Sequence, residues 1–191
     1  MVSLFFFQLV FLFFLNSSSQ ELEFKGVQFL SHDKSCYDFT YGNLYLEFFL
    51  DQNKIQGFHD LRFLIQCDVD TVAIDLSDKF QVDSIYFCDQ KSDFLQLHDK
   101  LFIPAKSFVS DSFNIKIFYQ GFPSHAINPP WQGGFVFEKD RDSMHWVGVA
   151  CQQEGSSVWF PNKDVLSDEP DSMHMQLVVE KPYLVISNGQ L

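Results

Sequence analysis

Positive charge is scarce in this chain. Thirteen lysines and arginines stand against twenty-five aspartates and glutamates, for a net charge of −12. Phosphate binding needs a basic face, so the balance argues against nucleic acid as a partner. It argues equally against an anionic membrane surface, and its plain consequence is solubility. Cysteine is also sparse: Cys36, Cys67, Cys88 and Cys151. No two share a CxxC spacing, which disfavours a zinc knuckle or a dithiol redox motif. The six histidines never fall four apart and none is followed by Glu, so there is no His-Glu-x-x-His. They read as surface or turn residues rather than ligands. No Gly-x-Ser-x-Gly, phosphate-binding loop or Rossmann fingerprint occurs. No segment holds the 3.6-residue period of an amphipathic helix.

The longest apolar run lies at the start. Residues 4–15 are broken only by Gln8 and are too short to span a bilayer comfortably. Small polar residues follow, and Ser17-x-Ser19 fits a small-x-small cleavage site with Gln20 as the first mature residue. Residues 1–19 therefore read as a signal peptide, although only the α-amino group supplies positive charge ahead of the run. No Cys follows it, which argues against a lipoprotein anchor. Export places the chain in a secreted or periplasmic compartment, where disulfides are permitted. Four thiols allow three full pairings, and the sequence chooses neither among them nor between a bridge and buried free thiols.

What is abundant is phenylalanine, 24 of 191 residues. Beyond the leader these rings sit in short runs with period two, suited to filling the space between packed sheets. After a polar lead-in (20–35), Leu44, Leu46, Phe48 and Leu50 alternate with Tyr45, Glu47 and Phe49. A turn at 51–54 follows, and then Leu61, Phe63, Ile65 and Cys67 share one face, a hairpin signal. Val72, Ile74 and Leu76 alternate with Ala73 and Asp75, and 82–87 is another strand. Residues 94–97 and 101–103 flank the turn His98-Asp99-Lys100 as a second hairpin. Ile115, Ile117 and Tyr119 mark a further strand, and the last strands are expected at 173–179 and 184–186. Strands recurring about every ten residues with turns between them predict an all-β, antiparallel β-sandwich over 36–191. From 121 to 171 the alternation weakens, and Gly, Pro, Trp and acidic residues gather. Long irregular segments inside compact domains tend to carry function.

Three segments of that stretch stand out: Ile127-Asn128-Pro129-Pro130-Trp131-Gln132-Gly133-Gly134, then Ala150-Cys151-Gln152-Gln153-Glu154-Gly155, then Trp159-Phe160-Pro161-Asn162 running on to Ser167-Asp168-Glu169-Pro170-Asp171-Ser172-Met173. In this order, with Leu76-Ser77-Asp78-Lys79 before them and Ser187-Asn188-Gly189 after, they resemble the N-terminal domain of M1-family zinc metallopeptidases (aminopeptidase N-like), in the secreted bacterial branch. The resemblance covers about 36–191. It implies a saddle-shaped antiparallel β-sandwich, which the strand pattern reaches independently, lying over a separate catalytic domain that holds the zinc.

The resemblance also implies a role for Gln152-Gln153-Glu154. In the family this segment reaches toward the active site and holds the free α-amino group of the peptide substrate. A carboxylate suits an ammonium because the hydrogen bond is charge-assisted, so Glu154 is the expected anchor and Gln152 a weaker neighbour. The structural reading of Glu154 alone is a solvated loop carboxylate. Two departures from the family pattern fall nearby: Asn162 where Cys is frequent, and Gln153 where Gly is frequent.

No catalytic residue, metal ligand or cofactor site is expected in these residues. Zinc would belong to the catalytic domain, the partners would be that domain and a peptide N-terminus, and no hydrolysis is expected from this chain alone. Asp164, Asp168, Glu169 and Asp171 lack the alternating spacing of a calcium loop, and Asp168-Glu169-Pro170 reads as a turn held by side-chain-to-backbone bonds. The alternative function is a free-standing secreted β-sandwich that binds peptide, protein or carbohydrate. Trp131 beside Gly133-Gly134 reads as a core or interdomain wedge before a sugar platform. A domain built to pack on a partner should also expose apolar surface near Trp131 and 151–155.

Overall fold

The structure, a computed structural model, describes residues 22–24, 27–29, 34–105, 111–129 and 131–190. The signal-peptide reading of 1–19 and half of the lead-in (20–35) fall outside the described residues. In chain order the strands are β1 (Leu22–Phe24), β2 (Val27–Phe29), β3 (Tyr37–Phe49), β4 (Lys54–Ile65), β5 (Thr71–Asp75), β6 (Phe80–Phe87), β7 (Gln90–Ser92), β8 (Leu95–Leu97), β9 (Lys100–Pro104), β10 (Ser112–Gly121), β11 (Gly134–Lys139), β12 (His145–Ala150) and β13 (Ser172–Val179). Three 3-10 turns, Lys34–Cys36, Leu50–Gln52 and Ser156–Val158, are the only helical turns among the described residues.

A six-stranded sheet in the order β13-β3-β4-β10-β6-β7 faces a three-stranded sheet in the order β5-β9-β8. Period-two alternation builds the core between them. Leu44 and Leu46 of β3, Leu61 and Phe63 of β4, and Ile115, Ile117 and Tyr119 of β10 are fully buried, and they meet Val72, Ile74, Leu101 and Ile103 of the smaller sheet. The ring-rich composition is used here: Tyr37, Phe39, Phe63 and Phe113 contact one another edge-on, tilted or stacked at centroid distances of 5.1–6.1 Å. Strand β5 is buried along all five residues, so its two faces are both covered. Val72 and Ile74 enter the main core, while Ala73 turns to a small second cluster with Phe102, Leu95 and Leu97.

Both expected hairpins form. The β3–β4 connection closes on Asn53 in the left-handed region (φ 51°). The β8–β9 turn places His98 and Asp99 there together (φ 50° and 58°), the backbone twist that two-residue hairpin loops require.

The structure departs from the sequence reading in three places and settles a fourth point that the reading left open. First, β13 runs parallel to β3, from Ser172↔Tyr41 to Val179↔Phe48, so the sandwich is antiparallel in every strand pair described except this one. A parallel partner needs a long crossover, and residues 151–171 supply it. Second, 184–186 is not a strand. It follows Pro182, which has no N–H to donate, and Leu184 and Ile186 are almost fully exposed. Third, His59 is a core residue rather than a surface one. The thiol arrangement, left open by the sequence, is a split: Cys36 and Cys67 form a disulfide with Cα atoms 4.7 Å apart, while Cys88 and Cys151 are free.

Candidate functional site

The weakly patterned stretch folds as an antiparallel hairpin, β11–β12, followed by a braced loop. Glu154 and Gln152 sit in the turn that leaves β12, and both are exposed. The turn is tight. Gly155 N–H donates to the Cys151 carbonyl at 3.1 Å, and both Gln153 (φ 72°) and Gly155 (φ 82°) are in the left-handed region. Only glycine enters that region without steric cost, which accounts for Gly155. Any Cβ there would also stand 2.3 Å from an Asp164 carboxylate oxygen. Gln153 accepts the same backbone geometry with a side chain, at a cost of roughly 1 kcal/mol. A glycine at position 153 would take this backbone conformation without that cost.

Asp164 braces the loop from beneath. Its carboxylate accepts from Ser156 N (3.2 Å), Ser156 Oγ (2.9 Å), Ser157 N (3.0 Å) and Asn162 Nδ2 (2.9 Å). Burial alone would push this carboxyl up, but the hydrogen bonds from Ser157, Asn162 and Ser156 outweigh it and hold it below the ordinary value. Asn162, at the position where the family pattern has Cys, is thus a working part of the brace, and it also donates to Ser156 Oγ at 2.6 Å.

The brace is bolted to the small sheet. Asp75 and Asn162 exchange backbone hydrogen bonds of 2.7 and 2.9 Å. The buried Asp75 carboxylate accepts from Asp164 N (2.9 Å) and pairs with Lys100 (2.9 Å) and Lys34. Further on, the buried Lys163 bonds Asp168 and the Tyr37 carbonyl, and Asp168 accepts from Phe39 N at 3.2 Å. Asp168 therefore makes the expected side-chain-to-backbone bond, but to a strand 129 residues away rather than within its own turn. His59 ties down the same loop: its Nδ1–H donates to the Pro161 carbonyl at 2.6 Å, while Nε2 is buried without a partner beside Gly42. Burial pushes its pKa down to about 4, against the raising effect of the Pro161 bond, so the ring is neutral at neutral pH.

Glu154 stands between two open depressions. The larger, about 1030 Å³, is walled by Asp99, Lys100, Glu154, Gly155, Asp164 and Glu169 among others. The smaller, about 340 Å³, is walled by His125, Ile127, Gln132, Gly133, Glu154 and Val158 among others. Asp99, Glu154 and Ser157 line both, and Gln152 lines neither. The structure thus gives the two expected site residues different surroundings despite their shared turn. It also brings the Gly133 and Glu154 motifs together: a Cβ at Gly133 would stand 2.7 Å from Glu154 Cγ. Ile127 and Trp131 are exposed at this end, as are Trp146 and Val149 on the hairpin, so apolar surface lies near Trp131, which is no core residue, whereas the exposed residues of 151–155 are polar.

Asp75, Lys163, Asp164 and His59 were missed as parts of the site. The available signal was weak: one charged residue within a largely apolar run (71–76), and a Lys-Asp pair two residues after Pro161. Among the described residues no group of three or more His, Cys, Asp or Glu side chains is placed to hold a metal. Asp164 and Asp168 are engaged within the domain instead, while Glu169 and Asp171 are exposed.

The architecture is that of the N-terminal β domain found in M1 zinc metallopeptidases, at a sequence identity that speaks to fold alone. Native leukotriene A4 hydrolase from Saccharomyces cerevisiae is similar over 78% of this chain and 24% of its own, with TM-score 0.64 and 13% identity. The M1 zinc metallopeptidase from Deinococcus radiodurans is similar over 79% of this chain and 34% of its own, with TM-score 0.59 and 14% identity. A mutant M1 zinc metallopeptidase from the same organism, bound to a Tyr-Ser-Ala substrate, gives TM-score 0.56 at 14% identity, over 75% of this chain and 32% of its own. The chain therefore spans between about a quarter and a third of the solved chains it matches. No family model matches the sequence, and no curated protein does.

Proposed function

We propose that this chain is the N-terminal, substrate-anchoring domain of an exported M1-type zinc aminopeptidase, with no catalytic residue of its own. Glu154 is the anchor: its carboxylate receives the α-ammonium of a peptide, and Gln152 assists from the rim. The observation that carries this is the placement of Glu154, an exposed carboxylate on a braced turn at the junction of two open depressions. The fold shared with M1 zinc metallopeptidases supports it, as does the ordered set of motifs around the turn. Among the described residues no side-chain cluster fits zinc; in this proposal the metal sits on a separate catalytic domain, and no chemical step is assigned here. Ile127 and Trp131 supply apolar surface of the kind a second domain would cover.

The test is a titration of the chain with a short peptide and with its N-acetylated counterpart, followed by NMR. Shifts should centre on residues 151–155 and vanish on acetylation. Glu154→Gln should weaken binding roughly tenfold or more, the size of a hydrogen bond to a charged group. Equal binding of the acetylated peptide would overturn the reading. Sustained, chelator-sensitive cleavage of aminoacyl substrates by the chain alone would overturn its non-catalytic part.

A further inference from the structure

The two edges of the main sheet are finished differently. At one edge, β7 has three residues and carries Lys91, and short, charged edges resist pairing with another chain. At the other, β13 runs for eight residues, Ser-Met-His-Met-Gln-Leu-Val-Val, with no Pro, Gly, Lys, Arg, Asp or Glu. One side of it pairs with β3. Among the described residues nothing pairs with its other side. In a chain of net charge −12, this is an uncharged edge of unpaired backbone donors and acceptors.

From this edge we infer that β13 pairs with β13 of a second copy, antiparallel about a twofold axis through Gln176. The register follows from three constraints. Met173, Met175 and Leu177 pack against the core, and Ser172, His174 and Gln176 are exposed; residues directly opposed in an antiparallel pair point to the same face. Only registers that match odd with odd positions keep both cores closed. Of these, the registers centred on Gln176 and on Met175 each pair seven of the eight strand residues; the Gln176 register places Met175 opposite Leu177 and Met173 opposite Val179 of the other copy. It also sets Asp171 opposite Lys181 at both ends. These are exposed, oppositely charged residues flanking an uncharged strand. Centring on Met175 instead puts Asp171 opposite Val179, and centring on Leu177 leaves Asp171 beyond the paired strand. The Gln176 register alone is complementary in charge, and it is isologous, as a closed dimer requires. The two six-stranded sheets become one continuous sheet. This pairing does not depend on the peptide-anchoring role of Glu154.

Sedimentation of the full chain across a concentration series tests the pairing. The apparent mass should approach twice that of one chain. Gln176→Lys and Gln176→Glu each set like charges face to face on the axis and should each sediment as a monomer, with an unchanged β-sheet circular dichroism spectrum. Mixing the two variants in equal amounts should restore the doubled mass. Asp171→Lys should weaken association, and Asp171→Lys with Lys181→Asp should recover it. A wild-type chain that stays monomeric throughout, or a Gln176→Lys chain that still dimerises, overturns the inference. Capture of an unrelated extended peptide by a monomeric chain overturns it in favour of a different occupant.

Discussion

Gly133 lies against the side chain of Glu154. A Cβ at position 133 would stand 2.7 Å from Glu154 Cγ and 2.5 Å from the Ala150 carbonyl oxygen. The carbonyl is backbone and cannot step aside, so Gly133→Ala must displace either the β11–β12 hairpin or the Glu154 turn. We expect a loss of about 1–3 kcal/mol, the usual cost of overpacking. Peptide titration should show shifts at 151–155 that differ from wild type even where the variant remains folded. Unchanged urea midpoint and unchanged peptide shifts would show that this contact does not position Glu154.

Gln153→Gly should stabilise the chain. Position 153 has φ 72°, which glycine adopts freely, against which stands the added freedom of glycine in the unfolded state. The balance favours glycine by a few tenths to about 1 kcal/mol. Gly155→Ala should do the reverse, because the added methyl meets the Asp164 carboxylate as well as the unfavourable φ. Thermal melts of the two variants should move to opposite sides of wild type.

Acid should destabilise the fold in a window set by His59. Its folded pKa is pushed from 6.5 to about 4, so the unfolded chain binds the proton more readily. The stabilisation is whole above about pH 6.5 and is lost as pH falls toward 4, amounting to roughly 3 kcal/mol. Asp164, also held below its ordinary value, adds a loss in the same direction at lower pH. Urea unfolding between pH 7 and 4 should show the slope, and His59→Gln, which keeps a donor for Pro161, should flatten it. An unchanged slope would remove His59 as its source.

The Lys163–Asp168 pair is nearly buried, with side-chain exposures of 3% and 10%. Lys163→Met strands the Asp168 carboxylate and should cost about 3–5 kcal/mol, whereas Lys163→Met with Asp168→Asn should recover much of it. A double-mutant cycle in urea measures the coupling, and additive losses would show that the two act independently.

The sheets were legible because alternation was strong where burial is one-sided. Leu44 and Leu46, and Ile115, Ile117 and Tyr119, announce their faces by period two, and the turn chemistry at 51–54 and 98–100 marks the hairpins. The pattern could not say that β13 joins β3 in parallel, since direction is decided by how 151–171 crosses the molecule. Nor could it show that Asp75 is buried: a carboxylate at the end of Val-Ala-Ile reads as the solvent side until Lys100, Lys34 and Asp164 N–H are seen around it. The Glu154 turn was legible only through its resemblance to a known domain. Its supports, Asp164 and His59, are residues whose role exists only once distant segments meet.

Because Asp164 secures Ser156, Ser157 and Asn162 and is itself fastened to Asp75, the Glu154 loop takes its shape from the interior of the domain and not from any visitor. Association with a small cationic guest should then proceed with little loss of chain entropy and almost no change in heat capacity. Calorimetry at several temperatures would read this as a nearly flat enthalpy.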